Sequence, residues 1–294
     1  MGNTDAVSPE GAGLTEIRLQ PGHIPDCVAL CVETRWNQTA DDWATMLALG
    51  EGFGLVDRSG KVVATSLALP YESGGFGWIS MVLVTEAWRR KGLATRLMQT
   101  AMDVLAKRGL VAILDATPAG REVYRQLGFE DTWGIERMQC LERPRLASAP
   151  RAPVRAMQDA DWSAVCALDA TTFCANRSDL LADLKRRLPQ AALVAEKEGR
   201  ITGFLLGRDG RIANDLGPCI ADSQETAIAL LAAALERITA PVFLDMPAPH
   251  SAVGEWLRAC GFTLQRPYSR MLLGRKEPFN NVENLFAIAG PELG

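Results

Sequence analysis

Histidine is nearly missing from this chain: His23 and His250 are the whole supply. Zinc sites draw on histidine and cysteine at short, regular spacings. The seven cysteines, at 27, 31, 140, 166, 174, 219 and 260, include no CxxC pair, so no metal is expected. Their number is odd, and the first residues show no basic-then-apolar leader. Reduced thiols buried as small hydrophobes in a cytoplasmic protein are therefore expected. Gly2 lacks the Ser or Thr that myristoylation wants at position 6, where Ala6 stands. No apolar run reaches the roughly 18 to 20 residues that cross a bilayer, so no membrane partner is expected. Charge of one sign is scarce too, with 31 Lys and Arg against 35 Asp and Glu. That weak acidic excess argues against nucleic acid as a partner.

What is present is a chain of 294 residues with 48% hydrophobic side chains. One compact core rarely extends that far, so two domains are expected. The stretch 143–153, Arg-Pro-Arg-Leu-Ala-Ser-Ala-Pro-Arg-Ala-Pro, resists both helix and strand and reads as a linker. The sequences on its two sides match. Gly128-Phe129, seven residues, then Arg137-Met138 parallels Gly261-Phe262, seven residues, then Arg270-Met271. Leu114-Asp115 parallels Leu244-Asp245, and Ile17-Arg18 parallels Val154-Arg155. The shared order points to a duplicated unit.

Periodicity fills in the first unit. Strands are predicted at 16–20, 54–57, 61–69, 78–84, 111–115 and 132–138, and helices at 24–34, 40–49, 95–106 and 120–127. The second unit repeats the pattern, with a hairpin over 191–207 and a long helix over 225–237. The expected class is α/β of the α+β kind, each unit a mixed, mostly antiparallel sheet flanked by helices. The segments are then a flexible 1–14, a first domain 15–142, the linker 143–153, a second domain 154–275, and a tail 276–294. The tail's apolar Phe286-Ala287-Ile288-Ala289 is expected to dock rather than to stay disordered.

Chemistry concentrates after the strand at 78–84. There Arg89-Arg90-Lys91-Gly92-Leu93-Ala94-Thr95 runs into a helix. Free backbone N–H groups at a helix N-terminus, reinforced by three cations, suit a phosphate or pyrophosphate. GxxxxGK[ST] is absent, so this is not a Walker loop, and without GxGxxG a dinucleotide site has little support. The pattern Arg89-x-x-Gly92-x-Ala94 after a long strand resembles the [RQ]-x-x-G-x-[GA] signature of the GNAT superfamily of acyl-CoA N-acyltransferases. A second match, Tyr124-Arg125-Gln126-Leu127-Gly128-Phe129, carries the family's tyrosine four residues before Gly-Phe.

The resemblance implies tandem GNAT domains using acetyl-CoA. Val82, Leu83 and Val84 would hold the acyl carbonyl and pantetheine through their backbone. Arg89, Arg90, Lys91, Gly92, Leu93, Ala94 and Thr95 would hold the pyrophosphate. Tyr124, with an unperturbed pKa of about 10, would protonate the departing thiolate. The family's occasional strand glutamate is missing here, and Ser80 is the one polar side chain over 78–84. Asp115, Asp42 and Glu33 are the candidate bases, Asp115 foremost because it ends an apolar strand where the cofactor cleft should lie. Trp36, Asn37, Gln38 and Asp42 would form the pocket for a small polar acceptor.

In the second unit, acids replace the basic loop before the long helix, and Leu257 stands where Tyr124 does, so that unit is expected to have lost the cofactor. The resulting expectation is an N-acetyltransferase acting on a small-molecule amine by direct attack, as monomer or homodimer. The alternatives are a non-catalytic acyl-CoA-binding or regulatory module, and a protein acetyltransferase.

Overall fold

The computed structural model describes residues 13–150, 152–248, 250–279 and 282–294. The segment expected to be flexible, 1–14, lies almost wholly outside the described residues. The first half runs β1 (Thr15–Arg18), α1 (Ile24–Thr34), α2 (Ala40–Leu49), β2 (Glu51–Val56), β3 (Val62–Tyr71), β4 (Phe76–Val84), α3 (Leu93–Lys107), β5 (Val111–Ala116), α4 (Pro118–Gln126), β6 (Phe129–Cys140). The second half repeats the order: β7 (Val154–Ala156), α5 (Trp162–Phe173), α6 (Ser178–Arg187), β8 (Leu193–Lys197), β9 (Arg200–Arg208), β10 (Asn214–Ala221), α7 (Gln224–Leu235), β11 (Val242–Pro247), α8 (Ser251–Ala259), β12 (Thr263–Leu273). A short β13 (Leu285–Ala287) follows. The fold class is the expected one, mixed α/β with a mostly antiparallel sheet and helices on its faces.

Local rules account for the elements. Helix α3 buries Leu93, Leu97, Met98, Ala101 and Leu105, one apolar stripe at helical spacing. It lies so close to β4 that a Cβ on Gly77 would stand 2.3 Å from Leu105. Any larger residue there would have to push the Leu105 side chain aside. Helix α2 opens with a capping box, in which Thr39 and Asp42 satisfy each other's backbone N–H groups.

The sheet shows what composition does not. Its order is β1-β2-β3-β4-β5-β12-β6-β11-β10-β9-β8-β7, with β13 on β10. The last strand of each half has crossed to the other: β12 pairs with β5, and β6 pairs with β11. The linker at 143–153 thus separates two sequence repeats while one sheet runs through both. One apolar core likewise joins Trp43, Trp78 and Phe76 of the first half to Val165, Phe173 and Phe204 of the second.

The exchange explains the repeated dipeptides. Arg270 lies opposite Asp115, and Arg137 opposite Asp245. Arg270 donates to both Asp115 oxygens at 2.9 and 2.8 Å, and Arg137 to both Asp245 oxygens at 2.8 and 2.6 Å. All four side chains are buried, so each half depends on the other to neutralise its central aspartate.

Candidate functional site

A cleft opens where β4 and β5 part. They pair in parallel at Phe76 with Val111, Gly77 with Ala112 and Trp78 with Ile113, and then diverge. From Ile79 onward the β5-facing backbone of β4 has no strand partner among the described residues, although backbone polar groups in such a place need one. A bulge re-aims the strand here. Met81 takes φ 51, the register with β3 slips between Thr65 and Leu67, and Thr65 Oγ1 pins Met81 by donating to its carbonyl at 2.8 Å.

The cleft spans about 620 Å³ of empty space, open solvent at its mouth included. Ile79, Ser80, Met81 and Val82 form one wall, and Leu114, Asp115, Thr117 and Tyr124 the other. Trp36 and Gln38 come from the loop between α1 and α2. Arg137, Arg266 and Tyr268 come from the exchanged strands, and Pro291 and Glu292 from the tail. Leu83 and Val84 carry β4 onward past the cavity, paired with Thr65 and Ala64.

The basic loop ends at Gly92, which caps α3 with φ 75, and Arg90 is also left-handed with φ 60. Among the described residues no side chain caps this helix and no acid stands in its first turn, which leaves its leading N–H groups and positive dipole end uncompensated. A Cβ on Gly92 would meet nothing within 4 Å, so the loop faces open space. Glu33 braces the approach: it accepts from Thr85 Oγ1 at 2.7 Å and from the Glu86 N–H at 2.6 Å, and lies 3.6 Å from Arg89. The Thr85 hydroxyl holds its carboxyl below the usual range. Arg89 donates to the Val84 carbonyl at 3.0 Å, and Lys91 lies 4.4 Å from the Trp88 ring centre. Leu93 is buried, Ala94 half-buried and Thr95 exposed.

Tyr124 projects from α4 into the cleft, and burial pushes its phenol up to about 12. Asp115 also lines the cavity, but both its oxygens hold Arg270. Burial raises its pKa while that guanidinium opposes the rise. A carboxylate so occupied is placed to organise the exchanged strand rather than to take a substrate proton. Of the expected acceptor residues, Trp36 and Gln38 face the cleft. Asn37 does not: it binds the second half, donating to the Ala213 carbonyl and Asp215 at 2.9 Å and accepting from the Ile212 and Ala213 N–H groups at 2.7 and 3.0 Å. Asp42 is likewise turned to structure, pairing with Arg187 at 2.6 Å and Arg208 at 3.0 Å.

Sequence reasoning missed Arg266 and Glu292. Glu292 accepts from Gln38 Nε2 at 2.8 Å and pairs with Arg208, and burial raises its carboxyl. No short-range pattern could place a tail carboxylate beside a loop more than 250 positions earlier; only the tail's apolar run hinted at docking.

The equivalent gap in the second half is filled. Strands β10 and β11 pair from Asn214 to Leu216 and then part. Into the opening comes β13, paired with β10 at Cys219 and Ile220, while the Ile288 N–H donates to the Asp245 carbonyl at 3.0 Å. Helix α7 is capped by Ser223, which accepts from the Thr226 N–H, and carries Glu225 in its first turn.

Comparison with known proteins agrees with this duplicated architecture. Residues 26–129 match the model described as "Acetyltransferase (GNAT) family", and residues 165–287 the one described as "Acetyltransferase (GNAT) domain". The Bacillus subtilis (strain 168) protein named "Uncharacterized N-acetyltransferase YitH" is 22% identical over 279 residues, 95% of this chain and 98% of that one. A solved structure of a proposed acetyltransferase from Pyrococcus horikoshii superposes with TM-score 0.78 at 19% identity, covering 100% of this chain and 99% of that one. A tandem GNAT protein from the clavulanic acid biosynthesis pathway gives TM-score 0.61 at 12% identity, covering 90% of this chain and 100% of that one.

Proposed function

From the premise that this chain belongs to the GNAT acetyltransferases in both of its halves, we propose that it transfers an acetyl group from acetyl-CoA to an amine of a small molecule, at the cleft of its first half. The observation that carries the reading is the set of an uncapped, acid-free helix N-terminus, a strand edge left unpaired by its neighbour, and a half-buried phenol lining the cavity. When bound, acetyl-CoA supplies an activated thioester. The residues present suit its polar parts: cations and bare N–H groups for a pyrophosphate, and strand groups from Ile79 to Val82 for amides.

The protein's own part is positioning and proton handling. The bulge at Met81 re-aims the strand that lines the cavity, where backbone N–H groups would act as fixed dipoles for a developing oxyanion. Tyr124 holds its proton throughout the neutral range, as a donor to a thiolate must. Glu292, raised by burial and bonded to Gln38, is the cavity carboxylate assigned to accept the amine's proton. Attack is direct: burial pushes Cys27 up to about 12 and Cys31 up to about 11, leaving thiols rather than nucleophilic thiolates. Trp36 and Gln38 wall the cleft beside the tail, which favours a small acceptor over a protein lysine.

The test is thioester loss, followed by ultraviolet absorbance, with acetyl-CoA and a panel of small amines. Tyr124→Phe is expected to lower kcat about a hundredfold with acetyl-CoA affinity unchanged. Equal kcat in wild type and variant would remove Tyr124 from the reaction.

A further inference from the structure

Building on that reading, we infer that the acceptor is an amine carrying an anionic group, an amino-acid-like carboxylate, with Gln38 receiving the amine and Arg266 the anion. Gln38 is 3% exposed, and its Nε2 is committed to Glu292 at 2.8 Å, which fixes the amide's orientation. Its Oε1 is buried and accepts from no group among the described residues. Ser80, 8% exposed and lining the same cavity, likewise has its Oγ without a partner among the described residues. Two buried polar atoms bordering one cavity call for a ligand that donates hydrogen bonds, and an amine is such a ligand.

The charges of the cavity balance with one exception. Asp115 is matched by Arg270, Arg137 by Asp245, and Glu292 by Arg208. Arg266 has no carboxylate partner among the described residues, and its buried Nε donates to nothing. Its strand neighbour in register is Arg137, another cation, and its guanidinium lies 5.3 Å from the Tyr268 ring centre. The ladder slips between Leu264 and Arg266, a bulge that alters where the following side chain is aimed. A planar fork left without a partner beside a second guanidinium is matched by a carboxylate held in two parallel hydrogen bonds. Because β12 belongs to the second half, that half would choose the acceptor for a site built on the first.

The experiment offers acetyl-CoA with α-, β- and γ-amino acids, each paired with its own primary amide, to wild type and Arg266→Gln. Acetyl-CoA affinity is measured separately by calorimetry. At least one free acid is expected to exceed its amide tenfold or more in kcat/KM. In Arg266→Gln that ratio should fall towards one through a loss of kcat/KM for the free acid, with acetyl-CoA affinity unchanged. Several results would overturn the inference: amides equal or better throughout, a ratio untouched by the substitution, or no amino acid used although acetyl-CoA binds. A loss of acetyl-CoA affinity in Arg266→Gln would assign the arginine to the coenzyme instead. If wild type binds no acetyl-CoA, the parent reading fails and takes this one with it.

Discussion

The two halves share one order of elements and part company at a single gap. In the first, β4 and β5 diverge after Trp78 and Ile113, and a cavity lies between them. In the second, β10 and β11 diverge after Leu216 and Leu244, and β13 lies in the opening. The helix beyond each gap agrees with its strands. Gly92 leaves α3 bare, whereas Ser223 and Glu225 satisfy α7 from within. Tyr124 of the first half becomes Leu257 of the second. A fold can therefore be kept while its site is closed, by giving the backbone groups a partner from the same chain. The closing segment then continues, as Pro291 and Glu292, to the rim of the open cleft, so the filled half helps to build the working one.

The strongest way to strain this comparison is through the features that the halves share. Arg137→Met and Arg270→Met each leave a buried aspartate uncompensated, a loss of about 3–5 kcal/mol. Urea unfolding should show similar losses for the two, since the pairs are related by the exchange. A marked inequality would mean that one pair is dispensable.

A smaller effect separates the folded chain from the unfolded one at alkaline pH. The chain has three tyrosines, and burial raises all of them, Tyr124 to about 12. The unfolded chain releases those protons near pH 10 and the folded chain retains them. Their contribution is intact below about pH 10 and is lost as pH rises towards 12. The urea midpoint should therefore fall between pH 9 and 11, less steeply in Tyr124→Phe.

The smallest effect sharpens the contrast between the helix ends. Ser223→Ala removes a cap and should cost about 1 kcal/mol of stability without altering acetyl-CoA affinity. A change in that affinity would mean that α7 takes part in binding.

The sequence carried the local structure well, because helix spacing and caps are short-range signals. Helices α1 and α2 have the predicted bounds, and the strand, basic loop and helix around Gly92 follow as expected. What it concealed was partnership. Asp115 and Arg270 stood out as members of repeated dipeptides, yet spacing alone does not say which strands will be neighbours, and their pairing emerges only with the exchange. Asn37 and Asp42 illustrate the same limit, since their partners Ala213, Asp215, Arg187 and Arg208 all lie in the other half. Arg266 and Glu292 reach the cleft by the same long-range route.

The central claim, one open gap and one filled, comes down to a count. Calorimetric titration of acetyl-CoA into wild-type protein should give one binding event per chain. Gly92→Glu, which puts an acid at the bare end of α3, should abolish it while circular dichroism shows the fold intact. Two events per chain, or one that survives Gly92→Glu, would contradict the account.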